Sequence, residues 1–156
     1  MGSSCKSTTL ILPLLIATVI VSLASLTTAQ PSPPKGQPQP VEEDMHEFME
    51  YLFQPTYNRL KPLMASAPSN NAGWKGIKAD SLTLAEGGNL LLSRVPEKDS
   101  EKWIEWSIAV RATGGDMYQA AKKKDFEAAR KLYEMMLTKC NACHTHFAEG
   151  EHQLSP

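Results

Sequence analysis

Cys140-Asn141-Ala142-Cys143-His144 places two thiols and an imidazole within a single CxxCH motif. This is the attachment signature of a c-type haem. On a helix, residues three apart share a face, so both thiols can add to the two vinyl groups along one side of a porphyrin. His144 follows Cys140 by four positions, and its imidazole can reach the iron as proximal ligand. Three other chemistries use the same residue types. A thioredoxin-like pair wants CxxC at a helix N-terminus in a βαβ context, and here the pair falls in the last turns of a predicted helix. A closed zinc site wants a fourth ligand, and His146 lies about 200° round the helix from His144. A plain disulfide gives no reason for His144.

The elements that must position these residues are helical. From Val41 to Phe147 there is no sustained period-two stretch, and four segments carry apolar residues three and four apart. The first spans about Glu42 to Ala65, with Met45, Met49, Leu52, Phe53, Leu60 and Leu63 on one stripe and kinks expected at Pro55 and Pro62. The second starts at Asn70 or Asn71, with Trp74, Ile77, Leu84, Gly88, Leu91 and Leu92 on its seam. The third opens at Asp99 or Ser100, carries Trp103, Trp106, Val110, Gly114 and Met117, and ends in Lys122 to Lys124, favourable to its dipole. Asp125 caps the fourth, where Phe126, Ala129, Tyr133, Met136, Cys140, Cys143 and Phe147 recur at spacings of 3, 4, 3, 4, 3, 4. Four such helices with short connections predict an all-α fold, an antiparallel up-down four-helix bundle.

In that topology the end of the fourth helix lies beside the start of the first, so a distal ligand is sought soon after Val41. Met45, His46 and Met49 are there. With Met45 at 0°, the apolar stripe centres near 40°, where Met49 falls, and His46 sits at its edge near 100°. Met49 is the expected distal ligand, weighed against a plain role as core filler; His46 is the lesser candidate. Leu52, Gly88, Leu91, Leu92, Trp103, Trp106, Met136 and Leu137 are expected to wall the haem, although Gly88 can equally mark close helix packing.

The chain has 156 residues, 42% hydrophobic and 21% charged, with 16 basic and 17 acidic side chains. Such a balance offers no basic field for nucleic acid. Three cysteines form an odd set. Lys6 precedes the apolar run Leu10 to Leu26, and Thr27 and Ala29 stand where a secretory cleavage site wants small residues. The expected signal peptide is 1–29; the run is shorter than the roughly 20 residues of a bilayer span, so no stable membrane span remains after cleavage. Removing 29 of 156 residues leaves 127, takes Cys5 away and moves the net charge from −1 to −2 by loss of Lys6. Residues 30–40 hold five prolines and predict an extended, unfolded spacer; 41–148 is the bundle and 149–156 a loose tail.

An exported four-helix bundle ending in CxxCH resembles the cytochrome c prime family, the class II c-type cytochromes. The resemblance covers about Val41 to Phe147. In that family the motif is followed by two variable residues, an aromatic and a basic residue; here CNACHTHFAEG supplies Phe147 and has Ala148 in the basic position. His46-Glu47-Phe48-Met49 and Arg59-Leu60-Lys61-Pro62-Leu63-Met64 are similar to the family's first helix. The resemblance implies one haem c, and Met49 implies the low-spin, electron-transferring branch, since high-spin members cap an empty site with an apolar side chain. The expected function is thus an exported, in a bacterium periplasmic, electron carrier and not an enzyme, working with redox partner proteins. Members of the family often pair through their first helices, so a homodimer is among the expected partners. Two alternatives are kept: a five-coordinate haem protein that binds NO or CO, and a zinc- or disulfide-stabilised helical module without haem.

Overall fold

The computed structural model describes Met1, Gly36 and residues 38–156. The expected signal peptide, Met1 apart, and most of the proline-rich spacer lie outside the described residues. Gly36–Pro156 forms one unit. In chain order its elements are α1 (Met45–Phe48), a π-helical turn (Met49–Phe53), α2 (Gln54–Leu63), α3 (Asn71–Leu92), α4 (Ser100–Lys123) and α5 (Phe126–Phe147). Among the described residues there is no strand, and no helix is long and apolar enough to cross a membrane. The all-helical expectation is met by four packed helices, with α1, the π turn and α2 together forming the first.

Where the first helix departs from expectation, Pro55 gives the reason. Proline lacks an N–H and its ring clashes with the carbonyl four residues back, so a regular α-turn cannot run through it. The chain widens instead: the Gln54 N–H donates to the Met49 carbonyl, five residues back. One extra residue in a turn rotates everything after it by about 100°. That rotation brings Phe48 onto the face of Thr56, Leu60 and Met64, all of which are buried. Met45, Met49, Leu52, Phe53 and Leu63 of the expected stripe are half-buried at its edges. Pro62 falls in the last turn of α2, where the helix is about to end.

The other helices begin as their capping residues dictate. The Asn70 side chain accepts from Gly73 N at 3.0 Å and the Asp125 side chain from Ala128 N at 3.0 Å. At α4 the N-cap Asp99 takes a left-handed backbone (φ 56°) and makes no capping bond; its carboxylate is engaged elsewhere. Tyr133, Leu60, Met64, Ile77, Met117 and Met136 are the largest fully buried side chains of the central core. A second cluster at one end of the molecule joins Phe48, Leu91 and Trp103 to Met45, Met49, Leu52, Phe53 and Phe147.

Glycine sets how closely α3 and α4 pack. A Cβ at Gly88 would lie 2.6 Å from Arg111 N, and one at Gly114 would lie 2.7 Å from Ala85 N. Gly88 therefore serves close helix packing, one of the two readings its position in the sequence allowed. The Trp103 indole N–H donates to the Leu91 carbonyl at 2.8 Å and ties the same two helices. Between α2 and α3, Arg59 donates to the buried Asp80 carboxylate through Nε at 3.0 Å and a terminal nitrogen at 2.7 Å. α5 packs on α4. By contrast, no Cα of α5 comes within 8 Å of one in α1, the π turn or α2. Those elements meet α5 only through side chains, among them Arg130, which donates to the Met64 carbonyl.

Candidate haem site

Cys140, Cys143 and His144 occupy the last two turns of α5. Both thiols are free. Cys140 is half-buried and packs against the central core. Burial, helped by the neighbouring Cys143, pushes its thiol up to about 12, and burial pushes Cys143 up to about 11. At neutral pH both are uncharged thiols. Among the described residues no three His, Cys, Asp or Glu side chains converge as a metal-holding group.

His144 is held in one tautomer. Its Nδ1 lies 2.9 Å from the carbonyl oxygen of His152. A carbonyl can only accept, so Nδ1 carries the proton and Nε2 keeps its lone pair. Nε2 has no hydrogen-bond partner among the described residues. Burial holds the imidazole below its ordinary pKa; the His152 carbonyl opposes that shift, and the His152 side chain adds to it. The result at pH 7 is a neutral ring with a free Nε2, the form in which histidine binds a metal.

The His152 carbonyl reaches His144 because the C-terminal segment folds back. Ala148 N and Gly150 N both donate to the His144 carbonyl, at 2.9 and 3.1 Å, closing the helix. Glu149 and Gly150 take positive φ (51° and 84°), which reverses the chain. The segment then runs beside α5. Asn141 Nδ2 donates to the Leu154 carbonyl at 2.9 Å, and Leu154 N donates back to Asn141 Oδ1 at 2.8 Å. Tyr57 Oη donates to the Ser155 carbonyl and Lys61 Nζ to Ser155 Oγ, each at 2.8 Å. Leu154 packs against the central core. The tail expected to be loose has no regular secondary structure, yet it is strapped across the face shared by α5 and the first helix.

The distal candidates separate. Met45, Met49 and Phe147 of α5 all pack against the same end cluster. His46 is exposed, 3.5 Å from Glu50, and its ring stands 5.9 Å from that of His152. Of the expected wall residues, Leu91 and Trp103 are buried in this end cluster and Leu52 packs against it, whereas Met136 and Leu137 belong to the central core. His146, outside the motif, gives its Nε2 to Asp99 at 2.9 Å and sets its ring edge-on to Trp106 at 5.6 Å. A depression of about 500 Å³, open to solvent, is lined by Met45, Arg94, Trp103 and Phe147 among others.

Sequence reasoning missed Asn141, His152 and Leu154 as parts of this region, and it placed Tyr133 on the α5 seam without a role for its hydroxyl. Tyr133 is 1% exposed and its hydroxyl has no partner among the described residues. It lies two turns before Cys140 on the same face of α5, with Tyr57 and Arg130 nearby. An unpaired buried hydroxyl costs on the order of 1–3 kcal/mol. Two free thiols on one helix face and a neutral histidine with an open Nε2 fit a covalently attached haem.

Four packed helices with a CxxCH at the C-terminal end define the class of this chain as an all-α protein. No family model, no curated protein and no solved structure matches it.

Proposed function

We propose that this chain is an exported monohaem c-type cytochrome of the cytochrome c prime kind, and that it carries electrons and catalyses no bond-making reaction. The observation that carries the reading is His144: a CxxCH imidazole whose Nδ1 is committed to a carbonyl and whose Nε2 is free. Cys140 and Cys143 would form the thioethers, His144 would bind iron on the proximal side and Met49 on the distal side. The antiparallel up-down topology belongs to this proposal. Gly88 meets Arg111 while Gly114 meets Ala85 and Ser81, so partner numbers fall along α4 as they rise along α3. Phe147 at the end of α5 meets Trp103 near the start of α4 at 5.2 Å between ring centres.

Bound haem c supplies a one-electron Fe(III)/Fe(II) couple. The residues of the chain do the rest. The His152 carbonyl makes His144 a stronger donor. Met49, at the opening of the π turn, is a soft thioether on the first helix; such turns recur at functional sites. Phe48, Leu91 and Trp103 are buried beside it and keep water away. A net charge of −2 after loss of the signal peptide favours a partner with a basic docking face.

A visible spectrum of the purified, exported protein tests the proposal. A Soret band that survives denaturation in the wild type and is lost in Cys140→Ser/Cys143→Ser is the expected result; no Soret band in the wild type sinks it. A second reading, a five-coordinate haem that takes NO or CO, draws on Met49 packing among apolar side chains as filler. Met49→Ala separates the two. Conversion of a low-spin to a high-spin spectrum marks Met49 as a ligand, and an unchanged high-spin spectrum favours the gas-binding form.

A further inference from the structure

His144 owes its hydrogen bond to a segment with no regular structure, so something must hold that segment in register. We infer that Asn141, the first variable residue of the CxxCH motif, positions His144 by clamping the backbone of Leu154 and thereby fixing the His152 carbonyl as acceptor for the Nδ1–H. The inference rests on the haem reading for its redox consequence, but its geometry does not.

The clamp is reciprocal. The Asn141 amide donates to the Leu154 carbonyl at 2.9 Å and accepts from the Leu154 N–H at 2.8 Å. A primary amide carries a donor and an acceptor on one planar group and so can do both at once. Asn141 lies three residues before His144, on the neighbouring face of α5. Only Gln153 separates Leu154 from His152, so fixing Leu154 leaves the His152 carbonyl little freedom. His152 has a left-handed backbone (φ 57°), a conformation that Asn and His tolerate better than most residues. Leu154 against the core and Ser155 on Tyr57 and Lys61 hold the far end of the strap.

The chemical effect follows from the acceptor. A carbonyl on Nδ1–H makes Nε2 more basic and favours the more highly charged iron. Losing it raises the reduction potential. Ala148 stands directly after Phe147 with no side-chain polar group, so the backbone of the strap supplies the polar contact to His144.

Two measurements test this on the mature protein. In the thiol form without haem, ring-nitrogen NMR of His144 should show a single Nδ1–H tautomer, and Asn141→Ala should give a mixture of both. In the haem-loaded protein, Asn141→Ala should raise the potential by the equivalent of a tenfold change in the oxidised-to-reduced ratio, about 59 mV for one electron. A chain ending at Gln153 should reproduce both effects and leaves the helices intact, so it decides the matter should Asn141→Ala fail to fold. His152→Asn, which retains the carbonyl, should change neither. A wild-type tautomer and potential in both Asn141→Ala and the shortened chain overturn the inference, as does a shift in His152→Asn equal to that in Asn141→Ala. Absence of haem from the wild type overturns the haem reading alone, and the tautomer measurement still decides the role of Asn141.

Discussion

The two sides of this molecule are joined in different ways. α3 and α4 meet backbone to backbone at Gly88 and Gly114, where a single added carbon would collide with main-chain nitrogen. α5 and the first helix stay more than 8 Å apart at every Cα pair and are bridged by Arg130, by side chains of the end cluster and by the strap His152–Ser155. Interiors that interlock backbone to backbone cannot open without losing dispersion along the whole seam. A joint made from side chains and a terminal segment can yield locally. The CxxCH motif lies on α5, at the yielding joint, and the glycine seam joins α3 to α4.

The largest effect expected from that contrast is at the seam. Gly88→Val should destabilise the protein by about 3 kcal/mol, since overpacking a close helix contact forces the backbones apart. Leu154→Ala on the other side should cost about 1 kcal/mol and leave the helical content unchanged. Chemical denaturation followed by far-ultraviolet circular dichroism compares them; equal losses would erase the distinction between the two joints.

A second test uses pH. The Cys140 and Cys143 thiols are pushed up to about 12 and about 11 by burial, against an ordinary thiol value of 9.0. Groups whose folded pKa is raised bind protons more tightly in the folded state, so their contribution is fully present below pH 9 and is lost as pH climbs towards 12. Stability of the thiol form should therefore fall across that window, and iodoacetamide should modify Cys143 before Cys140. Cys140→Ser/Cys143→Ser should flatten the alkaline fall; an unchanged pH profile in that variant would contradict the assignment.

The smallest effect is the most diagnostic of the yielding side. Tyr133→Phe removes a buried hydroxyl that has no partner among the described residues and should stabilise the thiol form by about 1 kcal/mol. Thermal melting measures it. A loss of stability instead would show that the hydroxyl has a partner in solution.

Much of this was legible locally. Asn70 and Asp125 each stand one residue before a helix and bond the backbone three residues on, so their roles followed from sequence spacing. The 3-4 spacing of Ala129, Tyr133 and Met136 identified the buried face of α5 in the same way. The first helix was only partly legible. Its pattern was read at one period throughout, and the π turn before Pro55 changes the phase midway, which buries Phe48 and Met64 and leaves Met49 at the edge. No composition signal marked residues 149–156 as a strap, because what holds them lies far away in sequence: Tyr57 and Lys61 reach Ser155 across 98 and 94 positions.

The sequence by itself determined that there are four helices, where three of them start, and that two thiols and an imidazole share the end of the last, because these depend on neighbours within a turn or two. Only the tertiary structure decided the rest. Gly88 belongs to a helix seam because Arg111 arrives there, and His144 keeps its proton on Nδ1 because a carbonyl eight residues later is folded back onto it. Those outcomes depend on which distant groups meet, and that is fixed by the packing of the whole chain rather than by any local spacing.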